Sequence, residues 1–396
     1  MTLAGRHVLL GVSGGIASYK ACTLARRLAE SGTAVDVVLT ASAAEFVGPV
    51  TFEALTGRPV HTSLWDRGRP LAHLSLAQEA DLVVLAPATA HLIARAAQGL
   101  ADDLLTTMLL ARTGPVLVAP AMNDAMFAHP ATQANLATLR ARGWHVVGPE
   151  VGALAEGPSD RPGRMSEPET VLIEARRLLD RRASKLDGRR VVVTAGPTRE
   201  HLDPIRVLTN ISSGRMGFAL AAEAYARGAD VTLVAGPTPL PAPHGPTRIA
   251  VETTAEMASA VLGLVGNADA LLMAAAPADF RPSSPLASKR KRGDGILTVE
   301  MDPTEDILET TRSSRKAGSV TVGFAYETED GVARARAKRT RKGLDLVVLN
   351  VHADDAGAEV ETNRVTLITA DADTPIARTT KVEVAAHVLD AVERLL

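Results

Sequence analysis

Three short strings hold the first residues whose types suggest chemistry: "GVSGGIASYK", "HLSL" and "PAMN". In the first, Ser13, Gly14 and Gly15 follow an apolar run and precede a helical pattern. Backbone N–H groups at such a turn, with a helix dipole behind them, favour a phosphate. The string is neither GxGxxG nor a Walker A motif, so NAD or an NTP is not the first expectation there. The glycines alone are read as easily as a tight turn without a ligand. Thr40 and Ser42 of "VLTASAAEFV" place hydroxyls after the next strand, where open α/β sheets bind ligands. His73 of "HLSL" is expected at a strand edge, where a lone histidine is usually structural. Near the other end of the chain, "SKRKR" gathers Lys289, Arg290, Lys291 and Arg292, a pattern that is most often a solvated face or loop. Lys338 and Lys342 lie four apart on one helical face, positioned to meet phosphates or simply to keep a helix soluble. Cys22, beside Leu24, Ala25 and Leu28, reads as a buried small hydrophobe.

These residues need a scaffold, and the apolar pattern supplies two. Strands are expected at 7–11, 34–40, 81–86, 115–120 and 145–148, with helices between them such as 16–31 and 130–142. Continuous apolar strands alternating with helices mean a parallel sheet covered on both faces. After a helix in "PETVLIEARRLLDRR", the polar stretch "ASKLDGRR" has no periodicity, and a linker is placed at 183–189. The pattern then restarts at "RRVVVTAGPTRE", with strands expected at 190–194, 230–235, 270–275, 319–324 and 344–349. The expected fold is α/β: two tandem doubly wound domains, 1–182 and 190–396. Only the architecture recurs between them, not the sequence.

Bulk properties narrow the function. A chain of 396 residues is long for one core. With 43 basic and 45 acidic residues the formal charge is −2, which gives no electrostatic case for nucleic acid or a membrane. Aromatic residues are only 3%, which argues against base-stacking surfaces. A single cysteine excludes a disulfide framework and a cysteine-based zinc site. The opening residues do not read as a signal peptide, and no apolar stretch approaches a membrane span. A cytoplasmic location is expected.

Taken together, "GVSGGIASYK", "HLSL", "APATA…ADDLL" and "PAMN" resemble the flavin-dependent cysteine decarboxylases, in particular those acting on phosphopantothenoylcysteine in coenzyme A synthesis. The resemblance implies a flavodoxin-like first domain. It implies FMN held by Ser13, Gly14, Gly15, Thr40, Ser42, Ala88 and Thr89. It also implies His73 as the catalytic base and Asn123 as the holder of the substrate carboxylate. The chemistry is coherent: oxidation of the cysteine thiol by a flavin creates an electron sink beside the departing carboxylate. His91 stands where the family usually has Asn, which puts one loop contact in doubt.

"TAGPTREHLDPIRVLTNISSGRMG", "AAAPADFRP", "SKRKR", "TEDIL", "VGFAYET", "AKRTRKGLDLVVLN" and "TNRVTLI" resemble, in order, the phosphopantothenate–cysteine ligases, whose domain is Rossmann-like. The resemblance implies CTP as co-substrate, with Mg2+ and an acyl-CMP intermediate that cysteine then displaces. Asn210 matches the residue contacting the activated intermediate and Lys289 the lysine of a closing loop. Met273, Ala274, Ala275, Asp279, Glu305, Asp306, Ile307, Leu308, Phe324, Lys338 and Lys342 match nucleotide contacts. Glu305 replaces the usual proline, so a local backbone difference is expected. The metal ligands are left open. The resemblance further implies a homo-oligomer, with flavin sites between subunits of trimers and ligase domains paired as dimers, together a dodecamer.

The loop "GALAEGPSDRPGRM", 152–165, departs from the family, which carries a proton-donating cysteine there. Counting from one end puts Glu156 at that position; counting from the other puts Gly157. Glu156 is the candidate donor. A carboxyl fills that role near neutral pH only if its surroundings keep it protonated; a solvated loop residue is the plainer reading. Two rival functions remain at this level: a ligase whose flavin domain is mainly an oligomerising scaffold, and a flavoprotein that stops at the oxidised enethiol.

Overall fold

In the computed structural model, residues 3–65, 71–289, 296–327, 330–351 and 362–396 are described. Two units, Met1–Asp180 and Arg181–Leu396, each carry their own sheet. In the first, β1 (His7–Val12), β2 (Ala34–Leu39), β3 (Val60–His61), β4 (Leu82–Ala88), β5 (Val116–Pro120) and β6 (His145–Val146) pair in parallel. Their order is β3-β2-β1-β4-β5-β6. Without the two-residue β3 this is the flavodoxin order, with the direction of winding reversing between β1 and β4. Alternate residues of β1 face opposite layers. Val8, Leu10 and Val12 pack with Leu24 and Leu28 of helix Ser18–Glu30, while Leu9 packs with Leu76, Leu92 and Leu105 on the other side. A small antiparallel pair, β7 (Glu150–Val151) with β8 (Pro162–Arg164), lies outside this sheet.

One of this unit's buried charges lies on the sheet itself. Asp36, in the middle of β2, is 4% exposed and meets His7 Nε2 at 2.7 Å and Arg58 Nε at 2.6 Å. Burial alone would push its carboxyl up, but the bonds to Arg58 and His7 outweigh burial and hold it below the usual aspartate range. Removing the charge strands Arg58 and His7. Asp36→Asn is expected to cost about 2 kcal/mol of stability at pH 7, less than for a fully buried pair because Arg58 is half in water. A carboxyl depressed in the folded state stabilises above its unfolded range and loses that contribution as pH falls through the folded value. Denaturant titrations should therefore show the gap between the two proteins closing only in acid, through and below the aspartate range.

The second unit contains β9 (Arg190–Ala195), β10 (Arg199–His201), β11 (Val207–Thr209), β12 (Asp230–Ala235), β13 (Thr247–Ala250), β14 (Ala270–Met273), β15 (Phe280–Pro282), β16 (Met301–Pro303), β17 (Val320–Glu327), β18 (Leu346–Val351), β19 (Thr362–Ile368) and β20 (Asp373–Thr380). The main sheet runs β13-β12-β9-β14-β17-β18-β19-β20. It is parallel through β18 and antiparallel at β19 and β20. Helices Arg215–Ala226 and Lys381–Leu395 cover one face, and Thr254–Val265 and Gly331–Lys342 the other.

The boundary differs from the sequence expectation. It falls after Asp180, and 183–189 belongs to the second unit instead of linking two domains. Leu186 is wholly buried in the second core, the Gly188 N–H donates to the Gly228 carbonyl, and Ser184 donates to Glu393. One leucine makes no period, so the pattern could not reveal this packing. The expected strand 270–275 stops at Met273, and 344–349 shifts to Leu346–Val351.

Candidate functional site

Four turns at the carboxyl ends of β1, β2, β4 and β5 surround a cavity of about 760 Å3. That is ample for a small-molecule cofactor and lies where open α/β sheets bind ligands. Ser13, Gly14, Gly15, Thr40, Ser42 and Thr89 line it. Their roles divide physically. The Ser13 hydroxyl is 2.8 Å from the Pro87 carbonyl and receives the Thr89 N–H at 3.0 Å, so it ties β1 to β4. What it leaves facing the cavity is backbone. Gly14 is required by contact: a Cβ there would stand 2.4 Å from Ser42 Cβ. Helix Ser18–Glu30 begins behind the turn with no side-chain cap and no acid in its first turn, which suits an anion. Thr40 and Thr89 instead cap their own short helices. Ala88 does not line the cavity; it is wholly buried, and its carbonyl accepts the Ala121 N–H. His91 does line it.

Asn123 follows β5 and caps helix Asp124–Ala128. Its Oδ1 accepts the Ala125 and Met126 N–H groups, at 2.8 and 3.4 Å. The amide can then face only one way, with Nδ2 as the outward donor. That nitrogen donates to the Glu156 carboxylate. The β7–β8 flap brings the pair together. Met122 N–H donates to the Gly163 carbonyl at 3.0 Å, and a Cβ on Gly163 would be 2.6 Å from the Met122 oxygen. Ser159 donates to Asp124 at 2.7 Å, with Arg161 also near, and these contacts hold the Asp124 carboxyl below its usual range. At the tip, Leu154 and Gly157 exchange backbone hydrogen bonds around Ala155 and Glu156. Of the two positions the count left open, it is Glu156 that meets Asn123; it is exposed within this chain.

His73 lies on helix Ala72–Glu79, not at a strand edge, and does not line the cavity of its own chain. Several lining residues carried no separate signal. Lys20 is buried, with its ammonium 2.8 Å from the Met165 carbonyl and 3.1 Å from Glu167. Arg95 meets Asp103 at 2.8 Å and Thr106 at 3.0 Å, while Asp103 and Thr106 form a capping box. Burial would raise the Asp103 carboxyl, but Arg95 and Thr106 hold it below the usual range. These pairs fix the "ADDLL" loop at the cavity rim.

In the second unit, Gly196 (φ 77°) and Gly214 (φ 76°) approach so closely that a Cβ on Gly214 would lie 3.3 Å from Gly196 Cα. Helix Arg215–Ala226 starts there with no side-chain cap from Gly214, and the Arg215 N–H meets Ser213 Oγ at 3.5 Å. Gly217 lets it press on β9, since a Cβ would be 2.5 Å from Ala195 Cβ. Asn210 Nδ2 donates to the Pro277 carbonyl at 2.9 Å, bringing the "TNISSG" segment to the loop after β14. In that loop the exposed Asp279 accepts the Thr304 N–H through its carbonyl. Ala274 and Ala275 follow β14, which ends at Met273. Lys342 pairs with Asp306 at 2.5 Å, and Lys338 donates to the Phe324 carbonyl at 2.6 Å. Burial works against ionisation of Asp306, but Lys342 holds its carboxyl low. Both lysines therefore gather around the loops after β16 and along β17. Ile307 and Leu308 are buried in the core, while Glu305 is exposed, so the backbone of "TEDIL" and not its aliphatic side chains is available to a ligand. Lys289 is exposed; Arg290, Lys291 and Arg292 lie outside the described residues.

Residues 1–179 match the family described as Flavoprotein. Residues 186–396 match the DNA/pantothenate metabolism flavoprotein C-terminal domain. The chain is 45% identical to the coenzyme A biosynthesis bifunctional protein CoaBC of Vibrio cholerae, over 98% of both chains. It is 44% identical to the Bacillus subtilis protein of the same name, over 93% of this chain and 92% of that one. Among solved structures, the C-terminal domain of a coenzyme A biosynthesis bifunctional protein CoaBC covers 53% of this chain and 96% of its own, at 35% identity and a TM-score of 0.46.

Proposed function

The chain belongs to the family of bifunctional coenzyme A biosynthesis proteins, and on that premise we propose how its own residues divide the two reactions. The second unit ligates cysteine to 4′-phosphopantothenate, and the first decarboxylates the product to 4′-phosphopantetheine.

In the ligase unit, CTP is the activating nucleotide. The phosphopantothenate carboxylate attacks its α-phosphate, pyrophosphate leaves, and the cysteine amine displaces CMP from the acyl-CMP. Negative charge gathers on phosphate oxygens, so the step needs fixed donors and cations. Lys338, Lys342 and Lys289 supply the cations, the backbone at the start of helix Arg215–Ala226 supplies donors, and Asn210 contacts the activated intermediate. Mg2+ would accompany the nucleotide and offset the charge of its phosphates. Among the described residues no group of three or more His, Cys, Asp or Glu side chains stands ready to hold a metal.

In the first unit the cavity fits FMN: it has the volume, a turn that only glycine can make, and an uncapped helix start for the phosphate. When bound, FMN supplies the two-electron oxidation that makes the thiol-bearing carbon an electron sink. The observation that carries this half is the Asn123 amide, locked with Nδ2 outward and holding a carboxylate. It binds the carboxylate that leaves as CO2. His73 moves the substrate's proton, and because it does not line its own cavity, a neighbouring copy presents it; a homo-oligomer with flavin sites between subunits meets that need. Glu156 delivers the final proton after taking it up from solvent.

Supplying phosphopantothenoylcysteine to the FMN-loaded chain should release CO2 and phosphopantetheine one for one. CO2 with accumulating enethiol would show that the final proton has no donor. No CO2 at all would favour the scaffold reading.

A further inference from the structure

The flap tip places a carboxylate on the one amide expected to hold the substrate's carboxylate. Resting on the reading that Asn123 binds the leaving carboxylate, we propose that Glu156 is a resident mimic of that group. It clasps Asn123 in the free enzyme, is displaced by substrate, and returns when the carboxylate is lost.

Three observations support the clasp. Asn123 cannot rotate away, because Oδ1 is committed to two backbone N–H groups. The flap base is secured by the Met122–Gly163 and Ser159–Asp124 bonds, whereas the tip is a single tight turn with Glu156 exposed. Displacement therefore needs only the tip to move. Finally, two carboxylates on one amide nitrogen would stand within about 4 Å of each other, where like charges repel. One must leave.

The consequence is a release device. A ligand carrying the carboxylate outcompetes Glu156 for Asn123. Once CO2 has departed, the product has nothing to offer that amide, and Glu156 recloses behind it. Carboxylated ligands thus work against the clasp when they bind, and decarboxylated ones do not.

A matched pair of probes tests this on the FMN-loaded full chain: S-methyl phosphopantothenoylcysteine and S-methyl phosphopantetheine. They differ only in the carboxylate, and the thioether blocks oxidation. Binding is read from the flavin absorbance, which reports the first unit and not the ligase site. Glu156→Ala should bind the carboxylated probe about tenfold more tightly than the unaltered chain, the worth of one charge-assisted hydrogen bond no longer broken. Its affinity for the other probe should be unchanged. Glu156→Gln, with a neutral acceptor, should fall between. An unchanged or weaker affinity for the carboxylated probe overturns the clasp, and so does an equal gain for both probes, which would mark the tip as a simple lid. Adding Asn123→Ala to Glu156→Ala, where no clasp competes, separates the two levels of the claim. It should weaken only the carboxylated probe; if it affects neither, Asn123 does not hold the carboxylate and the underlying reading fails first.

Discussion

His73→Ala and Asn123→Ala proteins are each expected to lose decarboxylation by at least about a hundredfold, the scale of one general acid–base or oriented contact. When their subunits are randomly mixed, activity should return to about a quarter of the unaltered level. Asn123 lines the cavity proposed for FMN in its own chain, whereas His73 lies on helix Ala72–Glu79 and does not. If a neighbouring copy presents His73, a working cavity needs Asn123 from one chain and His73 from another. About half of the cavities in the mixture keep Asn123, and about half of those face an intact His73. Both variants should retain FMN, since neither residue belongs to the 13–15 turn. A mixture no more active than its parts would place the base within one chain or deny His73 the role.

Lys289→Ala is expected to lower ligation by about a hundredfold or more, with decarboxylation of supplied phosphopantothenoylcysteine unaffected. Removing one cation from a phosphoryl-transfer site has effects of this size. The separation follows from the fold, because the described residues that line the cavity proposed for FMN all belong to the first unit. Lys289 is exposed and is not committed to a structural core, so the substitution tests chemistry more than folding. Parallel assays of CMP release and CO2 release on one preparation give the answer. Equal loss of both activities would remove Lys289 from the ligase site.

What could be read from the chain beforehand follows from where the signal lies. The apolar runs of β1 and β9 and the glycine turns after them announce themselves because burial on two faces leaves no polar alternation. The β19–β20 hairpin does not. Asp373–Thr380 carries Pro375 and mostly exposed residues, as an edge strand can, and shows no apolar period. Leu186 anchors what looked like a linker, through a single buried side chain. The site divides in the same way. Ser13, Gly14, Thr40 and Thr89 follow directly from strand ends. The Lys20–Glu167 and Arg95–Asp103 pairs come from side chains turned together by packing, and no spacing rule joins them. Residue counting left Glu156 and Gly157 equivalent; the two-residue turn at the flap tip is what separates them. His73 was expected at a strand edge because "HLSL" is too short to show a helical period, and it proved helical.

The central claim is that one chain carries both steps in sequence. The direct measurement is mass spectrometry of every product after the FMN-loaded chain is given phosphopantothenate, cysteine, CTP and Mg2+. CMP, pyrophosphate, CO2 and 4′-phosphopantetheine are expected in equal amounts, with phosphopantothenoylcysteine passing through as a transient. Phosphopantothenoylcysteine accumulating with no CO2, or no ligation with CTP present, would contradict it.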